Sequence, residues 1–244
     1  MIEFHNLTRT YARKVAVDRL TLTVPPGELF ALLGPNGAGK TTTIKMLTGL
    51  LHPTAGSVRV RGYDLVKDVR YATRWIGYVP DEPFLYDKLS GREFLEFAAA
   101  MRGMDRPTVA SVIEREGRNF ALEDFLDDLT ETYSHGMKQR LVFAAALLHD
   151  PPVLVVDEPM TGLDPWGVRV VKDRLRTLAA AGSAVFMSTH TLAIAEEIAD
   201  RIGIMDHGRL HFLGTVSELQ RELASRETSL ESLFLELTNG KCIA

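Results

Sequence analysis

Apolar residues recur along this chain with two periods, and the switches between them outline its elements. Ile2 to Leu7 and Leu20 to Val24 alternate as half-buried strands do. Leu29 to Leu33 is a continuous apolar run, which predicts a strand buried on both faces. Thr41 to Leu51 carries helical spacing through Ile44, Leu47 and Leu51, and His52 to Gly56 breaks it. Ser57 to Arg61 alternates again, and Trp75 to Val79 reads as a further strand. From Pro80 the texture becomes helical. Ser90 and Glu93 form a capping-box pattern, followed by Phe94, Leu95, Phe97 and Ala98 at helical spacing. Pro107 to Arg118 predicts a second helix, and Met137 to His149 an apolar one. Val153 to Val156 restores the strand pattern. Asp164-Pro165 is a helix start, with Asp as cap and Pro at the first position. Ala184 to Ser188, Leu192 to Ile198 and Ile202 to Met205 read as strand, helix and strand. Asp206 to Arg209 is a hairpin turn with Leu210 to Leu213 returning, and Thr228 and Glu231 cap a last short helix.

Strands alternating with helices predict an α/β fold with a mostly parallel sheet, and the hairpins near each end add antiparallel β strands. The helical stretch interrupts that alternation, so it reads as an inserted α-helical subdomain. The expected organisation is an α/β core over residues 1–81 and 151–215. The helical subdomain spans 82–150, and 216–244 form a short helical C-terminal tail.

Composition narrows the function. The chain has 244 residues, 45% hydrophobic and 25% charged, with a formal net charge of −4. That balance is ordinary for a globular protein and argues against a nucleic-acid partner, which favours a basic face. The one cysteine, Cys242, excludes an internal disulfide or a zinc cluster. The amino terminus lacks a signal pattern, and no apolar run approaches the ~20 residues of a membrane span. A role at a membrane would therefore run through a partner.

The chemistry begins with Gly34-Pro-Asn-Gly-Ala-Gly-Lys-Thr41, which matches the phosphate-loop pattern between a strand and a helix. A triphosphate needs many donors in a tight space. Gly37 and Gly39 let backbone N–H groups turn inward, and the helix start offers its positive end. Lys40 reaches the β- and γ-phosphates, and the Thr41 hydroxyl is a Mg²⁺ ligand. Asn36, Ala38 and Thr42 complete the loop's contacts with ATP. A second element is the acidic strand end, Asp157-Glu158. In open α/β sheets that end faces the ligand crevice. Asp157 is placed to hold Mg²⁺, and Glu158 to orient and deprotonate the attacking water.

With these residues the chain resembles the nucleotide-binding subunits of ABC transporters, over about residues 1–215. Tyr133-Ser-His-Gly-Met-Lys-Gln-Arg140 is similar to the family signature, Thr161 to Asp164 to its D-loop, and His190 to its switch histidine. Tyr11 occupies the place of the aromatic that stacks on adenine. The resemblance implies a P-loop NTPase core and a head-to-tail dimer with two ATPs buried between the copies. Ser134 and Gly136 would contact the γ-phosphate held by the other copy. Glu158 would be the general base, and His190 would contact the γ-phosphate and position the water. It further implies an ATPase at the cytoplasmic face of the cell membrane, powering a separate integral membrane permease. The YSxGM form of the signature points to the exporter-like branch. Two departures stand out. Asp81 occupies the usual Gln position, where a shorter, anionic group would bind Mg²⁺ or its water but cannot donate a hydrogen bond while ionised. His135 and Met137 replace the commoner signature residues. Two other readings are a soluble ATPase outside transport, for example in iron–sulfur assembly, and a nucleotide-gated module with little hydrolysis.

Overall fold

The computed structural model describes residues 1–225 and builds them around two β-sheets. Strands β1 (Ile2–Tyr11) and β2 (Lys14–Val24) pair antiparallel. Strand β3 (Leu29–Leu33) leads into helix α1 (Lys40–Leu47). Strand β4 (Ala55–Val60) pairs with β1, and the short β5 (Tyr63–Asp64) with β4. Helix α2 (Val69–Ala72) and a 3₁₀ turn precede β6 (Ile76–Val79). Helices α3 (Gly91–Met101), α4 (Arg106–Phe120) and α5 (His135–Leu147) then follow without an intervening strand. The remainder alternates: β7 (Val153–Val156), α6 (Pro165–Ala180), β8 (Ala184–Thr189), α7 (Leu192–Ile198), β9 (Arg201–Asp206), β10 (Arg209–Thr215) and α8 (Val216–Ser225).

The smaller sheet has the order β2-β1-β4-β5 and the larger β10-β9-β3-β8-β7-β6. In the larger sheet β9, β3, β8, β7 and β6 run parallel, and β10 adds an antiparallel edge. This is the predicted mixed α/β architecture. Every residue of β3, β7 and β8 is buried, as two covered faces require. Their side chains alternate between two cores. Leu29, Ala31, Leu33, Leu154, Val156, Val185 and Met187 point into the cluster shared with α3 to α7. Phe30, Leu32, Val153, Val155, Ala184 and Phe186 point into the cluster under the smaller sheet and α1. Phe186 contacts Phe4 and Phe30, at ring-centroid separations of 5.7 and 5.3 Å, which ties the two sheets together.

Local chemistry sets the helix ends. Glu93 N–H donates to Ser90 Oγ at 3.2 Å and Ser90 N–H to Glu93 Oε2 at 2.8 Å, the capping box expected at α3. Helix α1 ends at Leu47 rather than Leu51, because Gly49 turns left-handed at φ +74°. Helix α5 starts at His135, two residues before the predicted Met137, because Ser134 caps it. Between α4 and α6 lies the buried carboxylate of Glu116, bonded by Arg115 at 2.8 Å and Arg174 at 3.2 Å. The predicted helix at Thr228 and Glu231, and Cys242, lie outside the described residues.

His149, just past α5, sits with both ring nitrogens buried. Burial, aided by the nearby Arg102 charge, lowers its pKa from 6.5 to about 4. The folded chain therefore binds this proton later than the unfolded one. The stability it contributes is present above pH 6.5 and is lost as pH falls towards 4. In circular-dichroism melts across that window, His149→Leu is expected to show a shallower fall in Tm than the parent.

Candidate functional site

The parallel strands of the larger sheet end on one side, and four of their loops converge there. Register fixes the meeting: Leu33 lies beside Thr189, Met187 beside Val156, and Val156 beside Val79. The loop from Gly34 to Gly39 leaves β3, Asp157 and Glu158 leave β7, His190 follows β8, and Asp81 follows β6.

The loop is held tightly against its surroundings. Gly39 has φ +112°, and a Cβ there would stand 2.4 Å from the Ala16 carbonyl. No other residue fits such an approach without moving backbone. Lys40 is buried. Its Nζ donates to the carbonyls of Gly34 at 2.7 Å and Pro35 at 3.2 Å, and stands 3.4 Å from Glu158 Oε1. The first turn of α1 contains no acidic residue and no side-chain cap, so its N–H groups and positive end face the crevice.

Glu158 has the left-handed φ of +48°, uncommon for a non-glycine residue. Its second carboxylate oxygen, Oε2, lies 2.9 Å from His190 Nδ1 and 3.3 Å from His190 N. One carboxylate thus joins Lys40 to His190. Behind it Asp157 is buried and accepts a 2.5 Å hydrogen bond from Ser188 Oγ. The same Ser188 oxygen accepts from the Glu158 N–H at 3.0 Å. Ser188 therefore fixes both acids. It is a site residue that the sequence reading passed over, although a hydroxyl near the end of a fully buried strand was a usable signal.

A cavity of about 300 Å³ gathers most of the predicted residues. It is lined by Tyr11, Asn36, Gly37, Gly39, Lys40, Thr41, Thr42, Asp81 and Glu158, with Lys14, Ala16 and Pro35. Ala38 is buried behind the loop, where its carbonyl accepts from Gly208 N at 2.8 Å. Arg9 lies 4.6 Å from the centre of the half-exposed Tyr11 ring. Burial and the charges of Asp157, Glu158 and Glu82 push the Asp81 carboxyl upward, and only His135 opposes them. The donor set suits Mg²⁺, which binds through one or two carboxylates, waters and substrate phosphates. Asp157, the Thr41 hydroxyl and Asp81 supply that chemistry. Among the described residues no group of three or more His, Cys, Asp or Glu forms an all-protein metal cage.

Ser134 and Gly136 are not among the residues lining this cavity. They sit at the start of α5, where Ser134 Oγ accepts from Met137 N at 3.3 Å. This turn packs on the loop before α6. A Cβ on Gly162 would lie 2.2 Å from His135 Cδ2, so that glycine, at φ +73°, exists to admit the ring. Asp164 caps α6 through Gly167 N at 2.8 Å. Arg140 lies 5.0 Å from the Phe125 ring and 5.3 Å from the Trp166 ring, bridging the helical segment to α6.

The chain is similar to known proteins over most of its length. The ABC transporter family model matches residues 17–161. The Nod factor export ATP-binding protein I of Burkholderia lata is 39% identical over 208 residues, covering 85% of this chain and 68% of that protein. A solved ATP-binding subunit of an ABC transporter is 34% identical, with a TM-score of 0.89 and coverage of 97% of this chain and 99% of that one. A dimeric bacterial ABC transporter cassette is 25% identical, with a TM-score of 0.82 and coverage of 88% and 99%.

The His135–Gly162 contact makes a prediction about stability. Gly162→Ala is expected to cost about 1–3 kcal/mol from the left-handed backbone, plus the overlap with the ring. Adding His135→Ala should recover the overlap and leave the backbone part. Chemical denaturation of the single and double variants measures both.

Proposed function

Because this chain belongs to the ABC transporter family as an ATP-binding subunit, we propose how its own residues carry out ATP binding and hydrolysis for a membrane permease. It is an ATPase that dimerises around ATP. The observation that carries the residue assignment is the Lys40–Glu158–His190 chain at the mouth of the phosphate loop.

Lys40 and the α1 amides bind the β- and γ-phosphates, and Tyr11 stacks on adenine. Binding exchanges the carboxylate partner of Lys40 for phosphate. That releases one oxygen of Glu158 to face a water. The water attacks the γ-phosphorus, Glu158 takes its proton, and the bond to the β-phosphate oxygen breaks to leave ADP and phosphate. His190 holds the other Glu158 oxygen and the γ-phosphate end. Thr41 and Asp157, with Asp81 near, would hold Mg²⁺, which would neutralise phosphate charge. Asp81 takes the position usually held by Gln and contributes an anion there in place of a donor.

Ser134 and Gly136 serve the ATP of a second copy or a related chain. An ATP that bridges two surfaces favours the closed dimer. The organisation into a core of 1–81 and 151–215, a helical subdomain of 82–150 and a tail from 216 fits this division of labour. The direction is export, as in the Nod factor relative.

No described helix is long and apolar enough to cross a membrane. The subunit lies at the cytoplasmic face through its permease. An aromatic surface supports the docking place: Phe84 is 75% exposed and meets Tyr86 edge-on at 5.7 Å, and Tyr86 meets Phe97 at 5.4 Å. Beside it a groove of about 630 Å³ runs between Phe97, Met104 and Val109, suited to a cytoplasmic helix of the permease.

Glu158→Gln is expected to lower ATP turnover about 10²–10⁴-fold and to accumulate an ATP-bound dimer on size exclusion. Retained turnover would remove the base assignment. Phe84→Ala with Phe97→Ala should reduce co-purification of the permease and leave the ATPase rate of the free subunit unchanged. Recovery of a soluble scaffold and no membrane protein would favour the non-transport reading.

A further inference from the structure

The segment from Arg61 to Trp75 does not line the nucleotide cavity, and it gathers bases and aromatic rings. It carries four bases, Arg61, Lys67, Arg70 and Arg74, against two acids, Asp64 and Asp68, in a chain whose net charge is −4. All four bases are exposed and both acids are half-buried. Asp64 is further occupied in its own turn, where Oδ1 accepts from Val66 N at 2.8 Å and Lys67 N at 3.2 Å. Among the described residues none of the four bases forms an ion pair with a carboxylate within 4 Å.

Aromatic rings lie among these cations. Tyr63 stacks on Tyr71 at 6.1 Å, Arg74 lies 5.7 Å from the Tyr71 ring and Arg61 4.3 Å from the Trp75 ring. Tyr71 is 58% exposed, and Tyr63, Val66 and Trp75 are exposed as well. These contacts join β5, α2 and the following 3₁₀ turn into one face. A groove of about 630 Å³ continues it from Arg74 past the exposed side chains of Leu50 and Met101.

Tyr and Trp beside unpaired bases, with apolar side chains between, is the composition of a surface that sits at a bilayer–water interface. The rings take the headgroup level, and the bases meet anionic lipid. We propose that this face rests on anionic lipid headgroups and orients the subunit against the membrane beside its permease. The location relies on the membrane-side reading above. The lipid contact itself needs neither permease nor ATP hydrolysis.

The test sediments the full-length subunit with phosphatidylcholine vesicles and with vesicles in which part of that lipid is replaced by phosphatidylglycerol. The expected result is pelleting with the anionic vesicles alone and release at high salt, because surface attraction decays within a Debye length. Arg61→Gln with Arg74→Gln should weaken binding roughly 30-fold, about five-fold for each base removed. Tyr71→Ser should weaken it without changing the salt dependence. Equal pelleting with both vesicles, none with either, or unchanged binding by the arginine variant would overturn the proposal. So would protection of this face by co-purified permease without vesicle binding, which would assign it to a protein partner. The ATPase rate of the same preparations reports the nucleotide site separately, and the salt arm stands even if a variant fails to fold.

Discussion

A carboxylate shared between a lysine and a histidine organises the crevice at the strand ends of this molecule. Glu158 meets Lys40 at 3.4 Å through one oxygen and His190 at 2.9 Å through the other. Each partner comes from a different strand end, so the contact exists only if β3, β7 and β8 lie side by side in the right register. Fully buried strands provide that alignment, because a slip of one residue would exchange the two cores. Ser188 then locks the acids from behind by bonding both Asp157 and the Glu158 backbone. The same carboxylate that neutralises buried Lys40 is the group proposed to take the water's proton once phosphate replaces it.

The second constraint is how the Ser134 turn is seated. The cavity that collects Tyr11, the loop and Asp81 does not include Ser134 or Gly136. Those residues are instead fixed to the loop before α6, through His135 on Gly162 and Arg140 between Phe125 and Trp166. Under the proposed roles the phosphate loop and this turn are two half-sites. Charge explains why a second chain should join them, since two surfaces offer a triphosphate more donors and dipoles than either supplies alone.

Much of the fold was legible because its signals are local. The run Leu29 to Leu33, the glycine loop and the strand before Asp157 each combine burial with a turn that nothing else explains. The capping box at Ser90 and Glu93 was legible for the same reason. What escaped reading depends on distant partners. Gly49 ends α1 early where it packs near Val69 of α2, and β5 is too short to carry a period. Ser188 looks like any strand hydroxyl until Asp157 lies beside it. The contact of His135 with Gly162 joins residues that no spacing rule connects. The alternation of exposed arginines and rings between Arg61 and Trp75 was visible in the letters, but only their shared face gives it meaning.

The most direct test of the split site is complementation between two defective chains. Lys40→Ala removes phosphate binding and keeps the Ser134 turn, while Gly136→Asp blocks the turn and keeps the loop. Each alone should be nearly inactive in ATP hydrolysis. Mixed, they form dimers in which one intact loop faces one intact turn, and the account predicts that turnover returns. A mixture no more active than its separate components would contradict it.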